Sequence, residues 1–240
     1  MLAGVTFTGV DDACDLDHLL VLSRTYPFLE WGVLLKPPYS REPRAGRYPS
    51  LARLQSVARL ARQRSAQFAL HACKDSVLEI LDGQGPAAEL AQSFRRVQLN
   101  DRLGQEHVAA LRALLQRQPE TVFITQHNTD NFNLWPHLCD LPNYAVLFDR
   151  SLGRGVVPAV WPCPLMPGPR IVCGYAGGLG ASNLEEQLVK IERATRDETF
   201  WIDMESSLRG SSNTFDLLEA EKIAQLVARR YPQLAAGVAA

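Results

Sequence analysis

The 240-residue sequence lacks any apolar run near the roughly 18–20 residues a membrane-spanning helix needs, and it has no basic start followed by a short apolar core. A soluble, cytoplasmic protein with no membrane partner is expected. Its five cysteines, Cys14, Cys73, Cys139, Cys163 and Cys173, are odd in number, widely spread and free of any CxxC pair. This argues against a disulfide framework and a structural zinc site, so reduced thiols are the default. An excess of one charge is missing too: 25 Lys and Arg stand against 26 Asp and Glu, and no basic cluster is interleaved with aromatic residues. Nucleic acid is therefore not an expected partner. Histidine is scarce, and only His71 stands at the end of a β-rich run, which leaves a metal centre short of ligands. Lys36 and Lys74 fall beside such runs rather than within them, where burial would lower a lysine pKa for Schiff-base chemistry. Neither metal nor cofactor is expected, and no feature sets an oligomeric state.

What is present is a chain with 46% apolar residues, long enough to bury roughly 70–75% of its unfolded surface. Eight short β-rich runs alternate with amphipathic stretches: 2–9, 28–35, 67–73, 95–100, 121–128, 144–151, 170–178 and 200–207. Between most of them apolar residues recur at helical spacing, as in Leu51, Leu54, Ala58 and Ala61, or Leu217, Ala220, Ala224, Val227 and Tyr231. The count fits one (β/α)8 barrel (a TIM barrel) over residues 1–240, with a doubly wound open sheet as the alternative. One unit breaks the rhythm. Between the sixth and seventh runs lie Pro158, Pro162, Pro164, Pro167 and Pro169, so an extended loop is expected in place of the sixth helix.

Polar residues recur at a spacing of two near the ends of these runs, which sends them to one side of an extended chain. Glu30, His71 with Cys73, Gln98 with Asn100, Gln126 with Asn128, Asp149, and Asp203 with Glu205 follow this habit. In a barrel that side is the mouth, where sites are built. Glu30, Gln98 and Gln126 are expected to satisfy one another structurally, whereas Asp149 and Asp203 carry function. In YAGGLGASNLEEQL (175–188), Gly177 and Gly178 let backbone amides approach an anion, and Ser182 or Asn183 is placed to cap the following helix. A tight turn with an ordinary cap is the plainer explanation. In FTGVDDACDLDHLL (7–20), Asp15 reads as a helix N-cap, Asp17 favours the helix dipole, Asp12 reads as a solvated turn residue, and Asp11 is left to face a substrate.

Taken together, several of these stretches resemble the phosphoribosylanthranilate isomerase family of tryptophan biosynthesis. They are TFTGVDD, RYPS at 47–50, LFDRSLGRG, GYAGGLGASNLEE and, more loosely, IDMESSLR. The resemblance implies an intramolecular aldose–ketose (Amadori) isomerisation of a phosphorylated sugar amine without cofactor. It places Asp149 as general acid, Arg47 on the substrate carboxylate, and Gly177, Gly178 and Ser206 on phosphate, with Gly153 and Gly155 adding to the anion site. Asp203 matches an acid of the family's last strand. The family's basic cysteine is replaced by Thr8, whose hydroxyl is too weak a base to take a proton at neutral pH. Asp11, Cys73 and Glu205 are the candidate replacements, Asp11 first. A changed substrate is one consequence; a non-catalytic or regulatory sugar-phosphate-binding barrel is the alternative.

Overall fold

The computed structural model describes residues 1–39, 46–128, 131, 133–149, 154–165 and 172–235. Strands β1 (Leu2–Thr8), β2 (Leu29–Leu35), β3 (Gln67–Cys73), β4 (Arg96–Asn100), β5 (Val122–His127), β6 (Tyr144–Asp149), β7 (Val172–Ala176) and β8 (Phe200–Met204) each pair in parallel with the next. β8 returns to β1 through pairs such as Thr6 with Asp203, which closes the barrel. Outside it lie α1 (Leu16–Thr25), α2 (Leu51–Arg62), α3 (Asp75–Asp82), α4 (Pro86–Ala91), α5 (Val108–Arg117), α6 (Leu184–Thr195), α7 (Leu217–Arg230) and α8 (Pro232–Ala235).

Local sequence sets the helix boundaries. Asp15 caps α1 by accepting from the amides of Asp17 and His18 at 3.0 and 3.2 Å, as its position predicts. Asp216 does the same for α7 through Glu219 N at 3.0 Å. The α7 stripe of Leu217, Ala220, Ala224 and Val227 is buried against the barrel, following the 3.6-residue period. Asp12 departs from expectation: it accepts from Ser50 N at 2.8 Å and Ser50 Oγ at 2.5 Å, tying the β1–α1 turn to the α2 N-cap.

Two helices of a regular eightfold repeat are absent among the described residues, one more than the proline pattern predicts. The β6–β7 connection is extended through Pro158, Pro162 and Pro164, as expected; Pro167 and Pro169 lie outside the described residues. The β5–β6 connection holds only a short 3-10 turn at Trp135–His137. Pro136 and Pro142 remove backbone donors from that segment, so no α-helical ladder runs through it.

Most apolar surface is buried between barrel and helices, around fully covered side chains such as Phe7, Trp31, Phe123 and Phe200. Trp31, Trp161 and Tyr175 all belong to this core rather than to a stacking surface for ligand. Inside the barrel, Ile124, Ala145, Leu147 and Trp201 form a separate apolar plug. It depends on Gly174, because a Cβ there would stand 2.2 Å from Trp201 Cε2 and 2.8 Å from Leu147 Cδ1. Gly174→Ala is expected to lower stability by roughly 1–3 kcal/mol through overpacking. A denaturation midpoint unchanged from wild type would show that Trp201 has another place to go.

Candidate active site

The alternation of side chains along parallel strands sends residues two apart into the barrel, and near the C-terminal strand ends these residues are polar. They line a cavity of about 730 Å³ with Thr8, His71, Cys73, Gln98, Gln126, Asp149, Asp203 and Glu205 in its wall. One layer deeper, Thr6 Oγ1 donates to Glu30 Oε1 at 2.8 Å, and Arg96 Nε lies 2.8 Å from Glu30 Oε2 with its guanidinium 4.6 Å over the Trp201 ring. Glu30 is thus structural, although its partners are Thr6 and Arg96 instead of the expected glutamines. Gln98 Nε2 donates to Asn100 Oδ1 at 2.8 Å, and Gln126 Nε2 makes a long 3.5 Å bond to Asp149 Oδ2.

Asp149 and Asp203 stand at one height. Each is in register with Ala176, Asp149 from β6 and Asp203 from β8, so the two flank a single small residue of β7. Two interstrand spacings put their Cα atoms roughly 10 Å apart. Both are 6% exposed, so their carboxyl groups are held where the barrel interior opens into the cavity. Asp203 Oδ1 accepts a 2.8 Å hydrogen bond from Thr8 Oγ1. Burial nonetheless pushes its carboxyl up to about 8, with Glu205, Glu30 and Asp149 adding like-charge repulsion and the Thr8 bond opposing the rise.

The other candidates separate cleanly. Asp11, expected to face the substrate, is withdrawn: it does not line the cavity. Its Oδ2 lies 2.9 Å from Arg209 Nη2 and accepts from Phe215 N at 2.8 Å, in a buried clasp between the β1 and β8 loops. Both partners follow the chemistry of a buried ion pair whose remaining polar groups are satisfied. Cys73 does line the cavity, but burial holds its thiol up at about 11, so it is protonated at neutral pH. Glu205 Oε1 is 2.6 Å from Arg47 Nη1, close in charge but out of hydrogen-bond alignment. Burial raises the Glu205 carboxyl and Arg47 lowers it. Arg47 therefore reaches the cavity already neutralised by an acid of this chain.

Three loops converge at the far side of the same cavity. Gly155 (φ +66°) passes so close to Ser206 that a Cβ there would meet Ser206 Oγ at 2.7 Å. Gly178 (φ +63°) lies against the backbone of Val157, where a Cβ would meet Val157 N at 2.6 Å. Gly155, Gly177, Gly178, Ser206 and Ser207 all face the cavity, whereas Gly153 lies outside the described residues. Asn183 holds the N-cap position of α6 without capping it; its side chain accepts from Gly180 N at 3.0 Å and donates to Gly178 O at 2.8 Å, fixing the glycine loop. Ser207 packs against Gly180, and its Oγ is buried with no hydrogen-bond partner among the described residues. A buried hydroxyl without a partner is costly unless a ligand supplies one.

Sequence reading did not find the Thr8–Asp203 bond, the part of Ser207 in the cradle, or Tyr48 in the cavity wall. The first two join residues far apart in the chain through barrel closure, which no local pattern encodes. His127 stacks edge-on to Phe148 of the neighbouring strand, ring centroids 5.5 Å apart. Among the described residues no group of three or more His, Cys, Asp or Glu is arranged to hold a metal ion, and no helix is long and apolar enough to cross a membrane.

The molecule is a (β/α)8 barrel with a polar, acid-bearing cavity at the C-terminal ends of its strands. Within that class its fold is that of phosphoribosylanthranilate isomerases. The enzyme of Thermus thermophilus superposes with a TM-score of 0.60 at 18% identity, covering 95% of this chain and 99% of that one. A monomeric form of the dimeric Thermotoga maritima enzyme gives 0.56 at 16% identity, covering 98% and 100%. A third, a phosphoribosylanthranilate isomerase in complex with reduced 1-(o-carboxyphenylamino)-1-deoxyribulose 5-phosphate, gives 0.55 at 16%, covering 93% and 97%. No protein-family model and no curated protein matches the chain by sequence.

The raised Asp203 carboxyl has a thermodynamic sign. A group protonated in the folded state up to about 8, but ionised in the unfolded chain above the ordinary carboxyl value of 3.8, costs stability as pH climbs through that window. Asp203→Asn is isosteric and cannot ionise. It should melt several degrees above wild type at pH 8.5 and within about one degree of it at pH 4. Equal melting temperatures at both pH values would show that Asp203 is not held protonated by burial.

Proposed function

We propose that this barrel is a cofactor-independent isomerase that converts a phosphorylated aldosylamine to its ketose isomer. The observation carrying this reading is the pair Asp149 and Asp203 flanking Ala176 in a cavity whose other wall is a glycine–serine cradle. The cradle suits a phosphate: Gly155 and Gly178 allow the backbone to come close, and the buried Ser207 hydroxyl has a donor to give. Asp149 suits the acid, placing a carboxyl beside the ring oxygen of a sugar anchored by that phosphate. Its proton goes to the ring oxygen, the ring opens, and the C1–N bond becomes an iminium. Removal of a proton from C2 then gives an enolamine, which ketonises.

Arg47 limits what the site accepts at the substrate's amine substituent. A substrate carboxylate would have to displace Glu205 from Arg47 at 2.6 Å. That pairing favours a substrate whose amine substituent carries less negative charge than anthranilate. Similarity in fold supports the isomerase class and leaves the substrate to the site.

Two measurements test the reading. Wild-type protein should be stabilised against heat by ribose 5-phosphate and by the reduced carboxyphenylamino-deoxyribulose phosphate. With phosphoribosylanthranilate formed in situ, Asp149→Asn should lower kcat about 10²–10⁴-fold while leaving affinity for the reduced compound within about threefold. Absence of stabilisation by either sugar phosphate contradicts the proposed function. Stabilisation without turnover of any aldosylamine phosphate points instead to a non-catalytic sugar-phosphate-binding barrel.

Glu205→Gln should free Arg47 and tighten binding of that same reduced compound by roughly 2–5-fold, the range expected for a partly exposed ion pair. Titration calorimetry checks it, and weaker binding would mean that Glu205 itself holds the ligand.

A further inference from the structure

An isomerisation of this kind needs a second proton-transfer group, and Thr8, Cys73 and Asp11 are unsuited to it for the reasons above. We propose that Asp203 is the base that takes the C2 proton, with Thr8 as the positioning residue that fixes its carboxylate. The inference rests on the isomerase reading of the cavity and deepens it. Its support is geometric. Thr8 Oγ1 donates to Asp203 Oδ1 at 2.8 Å, which occupies one oxygen and leaves Oδ2 for the substrate. Asp203 lies three residues before Ser206, which opens the 3-10 turn directly after β8, so along the chain the two are at most about 10 Å apart. The five-bond path from phosphorus to C2 of a pentose 5-phosphate spans most of that distance, so a phosphate in the cradle puts C2 beside Asp203. Asp149, across Ala176, then faces the opposite end of the sugar.

The surroundings of Asp203 keep it basic. The groups that act on it are Thr8 from β1, Glu30 from β2, Asp149 from β6 and its own neighbour Glu205; His71 from β3 and Arg96 from β4 are the other titratable groups of this interior. Glu205 and Glu30 repel a second negative charge. Arg96 is engaged by Glu30 and the Trp201 face one layer below. His71 is 2% exposed and held neutral, pushed down to about 3 by burial and by Arg96, so it places no cation beside the acid. Its Nε2 and Thr8 Oγ1 share the space above Gly32, 3.1 and 2.5 Å from where a Cβ would stand. A side chain at Gly32 would break the alignment of Thr8. The cavity thus holds a carboxylate of raised proton affinity, oriented by one hydroxyl.

The step balances without oxidant or metal. An Asp203 oxygen lone pair takes the C2 hydrogen as a proton; the C2–H electron pair becomes the C1–C2 double bond, and the iminium π pair returns to nitrogen. The enolamine ketonises when Asp203 returns its proton to C1 and the O2 hydroxyl proton passes to Asp149. Both carboxyl groups end as they began.

The test uses the full chain with phosphoribosylanthranilate formed in situ as substrate and the reduced carboxyphenylamino-deoxyribulose phosphate as binding probe. Wild-type kcat/KM should rise with pH through a midpoint near 8. Asp203→Asn should lose at least about 10³-fold in kcat while binding the probe within about threefold of wild type. Thr8→Val should lose about tenfold or more in kcat, with its pH midpoint displaced upward because the bond that eases ionisation is gone; Thr8→Ser should restore both. An Asp203→Asn enzyme that keeps a tenth of wild-type kcat overturns the assignment while the isomerase reading stands, as does a Thr8→Val profile with an unmoved midpoint. Wild-type protein that binds the probe but turns over no aldosylamine phosphate also overturns the base. Wild-type protein that is stabilised by neither the probe nor ribose 5-phosphate and turns over no aldosylamine phosphate removes the isomerase reading itself, and the assignment with it.

Discussion

Everything at the mouth of this barrel depends on the cost of keeping acids out of water. Asp203 is held between β7 and β1 where the closed sheet leaves little solvent, with one hydroxyl hydrogen bond to offset its desolvation. Three further carboxylates lie close enough to raise its proton affinity. A chain selected for stability alone would replace such a group with an apolar one of similar volume, which is usually neutral or favourable. The apolar plug of Ile124, Ala145, Leu147 and Trp201 shows that the same interior accepts hydrocarbon readily. The acids of the upper layer are a local sacrifice of stability, and strained or desolvated groups of this kind gather where chemistry is done.

The two ways of satisfying a buried acid in this molecule make the contrast plain. Asp11 has Arg209 and the backbone amides of Ala13 and Phe215; both carboxylate oxygens have partners, and the residue serves to lock two loops together. Asp203 has one hydroxyl and like charges, and it faces an open cavity. Two aspartates are thus assigned to structure and to chemistry by their partners alone. Glu205 falls between them: it borders the cavity and is matched by Arg47, so it sets the charge that an incoming ligand meets.

Much of this was legible in the sequence, and the reason is periodicity. Eight β-rich runs gave the barrel, and the two-residue spacing in Asp203–Glu205 or Gln126–Asn128 gave the cavity wall, because a strand's alternation is a local property. The proline content of 158–164 likewise excluded a helix. Long-range closure was not legible. That Thr8 meets Asp203, that Asp11 meets Arg209, and that Gly155 meets Ser206 are consequences of register between chain segments 51 to 198 residues apart. The absence of an α-helix among the described residues between β5 and β6 was also hidden, since Trp135, Leu138 and Leu141 have helical spacing but Pro136 and Pro142 deny it hydrogen bonds. Residue types with two common fates, an acid after a strand above all, were read wrongly where the partner lay far off in sequence.

The most direct test of the central claim is a crystal structure with the reduced carboxyphenylamino-deoxyribulose phosphate bound. The account predicts its phosphate on the amides of Gly177 and Gly178 with a hydrogen bond from Ser207 Oγ, and C2 within about 3.5 Å of Asp203 Oδ2 on the side away from Asp149. A phosphate seated elsewhere, or a sugar chain that leaves Asp203 covered and out of reach, would contradict it.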